Sequence, residues 1–147
     1  MDPDERSTYA AAITAIERRK SVRDVTLRTW RFHDQVEQRL QEANAEMASA
    51  GWADELTRLA AHAPPDVLAA LSAAEDADRV ARERYSAWSA LADQNRFANA
   101  QAAAGQPASF ASSDATMAAF DAIKPALEAA NHADDALSAV ISAHLEA

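Results

Sequence analysis

Residues 65–92, PDVLAALSAAEDADRVARERYSAWSALA, decide the fold. Val67, Leu71, Ala74, Asp78, Ala81, Tyr85, Trp88 and Ala92 recur in alternating steps of four and three. That is the heptad spacing of helices packed along a left-handed seam, and it has nothing of the alternation of a strand. The stretch therefore reads as a helix that opens near Pro65–Asp66 and continues to Ala103. Asp78 stands where the repeat demands an apolar residue.

The same spacing recurs towards the C-terminus. Phe120, Ile123, Leu127, Ala130, Asp134, Leu137, Ile141 and Leu145 form a second seam, again interrupted by one aspartate. Ser113–Asp114 supplies a helix-start signal. Pro125 falls inside this helix and is expected to kink or split it. The stretch 105–113, GQPASFASS, separates the two seams.

Towards the N-terminus, Pro3 suits a first helical turn, with Asp4 and Glu5 complementing the helix dipole there. Gly51 is a natural stop, so the first helix is expected to run from Pro3 to Ser49. At 100° per residue, Tyr9, Ile13, Ile16 and Leu27 share one face. Val22, Val25, Phe32, Val36, Leu40, Ala43 and Met47 share another, nearly opposite. This predicts one rod that meets different partners on two sides, as against a break near Ser21. A short helix with Trp52, Leu56 and Leu59 on one side follows, from Trp52 to Ala61, and Pro64–Pro65 ends it.

The expected fold class is all-α: one domain spanning 1–147, an elongated up-down bundle of three long helices and one short one with alanine-rich seams. Composition agrees. The 147 residues include 40 alanines but only 24 Leu, Ile, Val and Phe together. Alanine favours helix at no cost in side-chain entropy. It also makes a thin core, which leaves room for completion by another chain.

Composition excludes several chemistries. Cysteine is absent, which removes disulfides, zinc–thiolate sites, iron–sulfur clusters and cysteine nucleophiles. The two glycines lie far apart, so no phosphate-cradling loop or nucleophile elbow can be built from them. No Trp-x-Gly motif occurs, because Trp30, Trp52 and Trp88 are followed two residues on by Phe32, Asp54 and Ala90. No cofactor motif emerges, and a non-enzymatic protein is expected. The formal charge of −9 repels nucleic acid and anionic membrane as a whole. The N-terminal MDPDERSTY is unlike a secretory signal, and no apolar run approaches the roughly 20 residues of a membrane span. A cytoplasmic location is the resulting expectation.

Three constellations are candidates for function. The first is the polar seam of Asp78 and Asp134. A buried carboxylate needs a partner or water. Lys20, which continues the Tyr9 face, and Arg79 or Arg82 are candidate partners. The alternative is a shallow seam from which both aspartates reach water. A polar pocket here would suit a small molecule or a metal. His33/Glu37 and Glu128/His132 are the other spacings that could place two ligands on one helix face. The second is a basic run, Arg18, Arg19, Arg23, Arg28 and Arg31, with Lys20 among it. It could contact an anionic partner, although these residues point in almost every direction around a helix. The third is a set of aromatic interface anchors: Trp30, Phe32, Trp52, Tyr85 and Trp88. Together these predict a helical protein–protein interaction or assembly protein that is oligomeric or binds another protein. Its alternatives are a small-molecule- or metal-binding bundle around Asp78 and Asp134, and a regulator acting through Arg18–Arg31.

Overall fold

A computed structural model describes residues 1–30 and 52–147, together with isolated helical positions at 38, 39, 41, 42 and 45. Four helices are described: α1 (Pro3–Thr29), α2 (Trp52–His62), α3 (Pro65–Ala103) and α4 (Ser113–Glu146). No strand occurs among the described residues. The fold is an all-α helical bundle, as the heptad spacing predicts. No helix among the described residues is long and apolar enough to cross a membrane.

The helix ends follow from local chemistry. Asp2 accepts from the Glu5 amide at 2.8 Å while the Glu5 carboxylate accepts from the Asp2 amide, a reciprocal capping box. Ser112 caps α4 through a 3.1 Å bond from the Ala115 amide. The α3 terminus closes with Gly105 at φ +72°, a left-handed conformation that glycine adopts without strain. There the Gln106 amide donates to Gln101 at 2.9 Å and the Gly105 amide to Ala102 at 3.1 Å. Pro125 does not split α4, which runs as one helix past it. Since the first turns on either side are intact, the missing proline N–H costs one helical bond and leaves the segment whole.

α3 and α4 form an antiparallel hairpin. Asn95 meets Ala111 at one end, and Asp66 meets His144 at the other. α1 lies against α4 and α2 and runs antiparallel to α4, with Arg6 donating to the Leu145 carbonyl. Both hairpin seams are buried as their spacing predicts, with Tyr85, Ala92, Phe120 and Leu145 half-buried at the margins. Ala12, Ala74, Ala81, Ala98 and Ala130 are buried almost completely, so the backbones approach closely where no large side chain intervenes.

α1 is continuous through Ser21. Its buried stripe is Tyr9, Ala12, Ile16, Arg19, Arg23, Thr26 and Trp30, a heptad running the length of the helix. Within the described residues the buried side of α1 is one stripe whose middle is charged. Ile13 and Leu27 pack on its flanks, and Val22 and Val25 are half-buried. Phe32, Val36, Leu40, Ala43 and Met47, and the expected continuation to Ser49, lie outside the described residues.

The core is in two parts. One joins Tyr9, Ile16, Leu56, Leu59, Leu137 and Ile141 with the start of α3. The other joins Trp30, Ala81, Trp88, Ile123, Leu127 and Ala130. Fully burying a branched side chain such as Ile16, Leu137 or Ile141 stabilises by about 1.5–3 kcal/mol. Between the two parts lies a layer of charge.

Candidate functional site

Asp78 and Asp134 occupy the same depth on facing helices, and both are buried, Asp134 completely. The shallow-seam expectation is therefore corrected. Water does not solvate these carboxylates; arginine does. Arg19 grips Asp134 with both prongs, Nε at 3.1 Å and Nη2 at 2.6 Å, and turns Nη1 to Glu75 at 2.6 Å. Arg23 lies between the two aspartates. Its Nε and Nη2 donate to Asp78 at 3.2 and 2.7 Å, and its Nη1 donates to Asp134 and, at 3.1 Å, to Asn131. Arg82 completes Asp78 at 2.8 Å from the solvent side.

Two buried guanidinium groups thus face two buried carboxylates, and the layer is electrically closed. Planar, bidentate donors suit this role better than a lysine ammonium. Burial alone would pull the Arg19 pKa down, but the hydrogen bonds it donates to Asp134 and Glu75 outweigh it and hold the guanidinium more firmly charged. Burial pushes the Asp78 carboxyl up, and the Arg23 bonds with the nearby Arg82 charge bring it below its ordinary value.

The other candidate residues are placed differently. Lys20 is outside this layer. It pairs with Asp135 and, at 3.9 Å, with Glu17, and these raise its pKa. Arg79 pairs with Glu83 on its own helix. Of the basic run, Arg19 and Arg23 point inward and are unavailable to an external anion, while Arg18 and Arg28 are exposed. Arg31 lies outside the described residues. Of the aromatic anchors, Trp30 and Trp88 are buried against each other, 5.8 Å apart and edge to face, with Phe120 3.7 Å from Trp30. They act as core and offer no exposed patch. Tyr85 flanks Trp88 at 5.9 Å. Phe32 and the Trp52 side chain lie outside the described residues. Among the described residues no group of three His, Asp or Glu could hold a metal ion. Glu128 and His132 are both exposed, and the His33/Glu37 pair is outside the described residues.

Sequence reasoning missed the far end of the α3–α4 hairpin. There Phe97, Phe110 and Met117 are 67%, 50% and 63% exposed. The loop carrying Phe110 is tied to α3 on both sides, by Gln94 Nε2 to the Ser109 carbonyl at 3.4 Å and by the Ala111 amide to Asn95 at 2.9 Å. Phe97 stands one helical turn beyond Gln94, so the two phenylalanines belong to the same end of the hairpin. The available signal was large apolar residues lying off both seams.

Compared with protein-family models, curated proteins and solved structures, the chain matches none.

Proposed function

We propose that this chain is a non-enzymatic interaction or assembly protein that engages another protein through the end of its α3–α4 hairpin. The observation that carries the reading is that Phe97, Phe110 and Met117 are each exposed at the end of a hairpin whose loop is hydrogen-bonded to α3. Single exposed apolar residues are ordinary, but three large ones at one end of a hairpin whose loop is hydrogen-bonded in place favour a contact surface. The closed charge layer supports it from the other side, since its carboxylates are taken up by guanidinium groups and hold the helices together.

The test is site-specific photo-crosslinking in the source cells, with a benzophenone amino acid at position 97 or 110 and, as control, at exposed Asp76. Protein adducts at 97 and 110 but not at 76 are expected. Equal adducts at all three positions, or none, would overturn the reading.

A further inference from the structure

A cavity of about 440 Å³ lies between the first turns of α1 and the last turns of α2, at the end of the bundle opposite Phe97. We propose that it binds a small aliphatic polyamine, held by the carboxylates of Asp4 and Glu5 and the hydroxyl of Tyr9. This goes beyond the interaction reading above and does not depend on it.

Two groups that line the cavity lack a partner. Tyr9 is only 9% exposed, with its ring packed in the Ile16–Ile141 core and edge-on to His144 at 6.1 Å. Among the described residues its hydroxyl makes no hydrogen bond. A phenol set this deeply leaves its polar end poorly solvated unless something in the cavity meets it. Burial and the charges of Glu5 and Asp66 push its pKa up, so the hydroxyl stays protonated and can both donate and accept. Asp4 is the second. Its carboxylate has neither a hydrogen bond nor an ion pair among the described residues. Asp2 and Glu5 each engage one carboxylate oxygen in the capping box and leave the other.

The lining selects a cation. Three carboxylates outweigh the roughly half positive charge of the α1 terminus. Arg58 is already taken by Glu55 at 2.8 Å, and His62, the other basic group of the lining, is exposed to solvent. An anion would meet net repulsion here. A metal ion needs several converging ligands, and no such group occurs among the described residues. An ammonium on a flexible chain asks less: one carboxylate and one acceptor hydroxyl, each reached by its own rotation. The volume lies within the roughly 300–1,000 Å³ of small-molecule sites. Carboxylates at more than one point of the wall favour a ligand with more than one ammonium, and buried Leu59 offers its methylenes an apolar contact.

The test is isothermal titration calorimetry of the full chain with spermidine, at about 20 and about 150 mM salt. One saturable site, weaker at the higher salt, is expected. D4N should weaken it roughly tenfold, as the loss of a charge-assisted bond does. D76N removes the same charge from an exposed position on α3 and should change it less than about twofold. Y9F should weaken it about threefold or more. The melting temperature of unliganded Y9F should stay level or rise, because the deleted hydroxyl has no partner in the protein. Absence of a saturable heat overturns the inference. So does equal weakening by D76N and D4N, which marks diffuse attraction to an acidic molecule. Affinity indifferent to Y9F, or displacement of spermidine by magnesium at matched ionic strength, overturns it as well. None of these outcomes bears on crosslinking at positions 97 and 110, so the two readings fail separately.

Discussion

Arg23 donates to Asp78 and Asp134 at once, so truncating it takes one guanidinium from each of two buried carboxylates and leaves Asp134 with Arg19 and Asp78 with Arg82. Breaking a buried pair from one side costs about 3–5 kcal/mol, because the remaining charge keeps its desolvation penalty. R23A should therefore lower the urea midpoint by that equivalent. Replacing Arg19, Arg23, Asp78 and Asp134 together by apolar residues of similar volume should restore most of the loss or exceed it. Acidity probes the same atoms. The carboxyls of Asp78, in the layer, and Asp66, beside His144, both lie below their ordinary value. A carboxylate depressed in the folded state contributes stability that is full above its unfolded pKa, about 3.9, and is lost as pH falls through the lower folded value. The urea midpoint should accordingly stay level from neutral pH to about 5.5 and drop steeply below about 4.

At the scale of elements, α4 tolerates Pro125 at an exposed position in its interior. Proline there forfeits one backbone bond and crowds the preceding turn, so P125A should raise stability by about 1–3 kcal/mol in urea titration. G105A should act oppositely. Nothing crowds an added Cβ at Gly105, but its φ of +72° costs an L-residue roughly 1 kcal/mol. The seams of α3 and α4 could be read from the sequence because leucine, isoleucine and tryptophan mark them at both ends. α1 could not be read this way. The middle of its stripe is Arg19, Arg23 and Thr26, and a search for apolar periodicity passes over the residues that hold the helix. Asp78 and Asp134 stood out as anomalies in their seams. Arg82 was legible as a partner one turn from Asp78, but Arg19 and Arg23 were hidden because a buried arginine and a surface arginine look alike until the neighbouring helices are aligned in depth. The Phe97–Phe110 end was hidden for the converse reason, since residues off the seam carry no periodic signal.

For the whole molecule, the charge layer joins the Tyr9–Ile141 core to the Trp30–Trp88 core. The two should melt as one. In a W52F background, tryptophan emission, which then reports Trp30 and Trp88 of the second core, and far-ultraviolet dichroism, which reports helix throughout, should give coincident transitions. In R23A the two curves should separate, because removing the shared tie lets one core open before the other. Coincident curves in R23A would show that apolar packing alone couples them.

The closed layer also bears on descent. Leucine, isoleucine, methionine and valine exchange with one another at buried positions at modest cost when volume is kept, so the large apolar positions of a distant relative can drift. The four charges cannot drift singly. A lineage that loses Arg23 leaves Asp78 and Asp134 each short of a buried guanidinium and passes through intermediates less stable than either end. Arg19, Arg23, Asp78 and Asp134 should therefore be inherited or replaced as a set, and covariation among these four columns is the mark by which kinship to this chain should be sought.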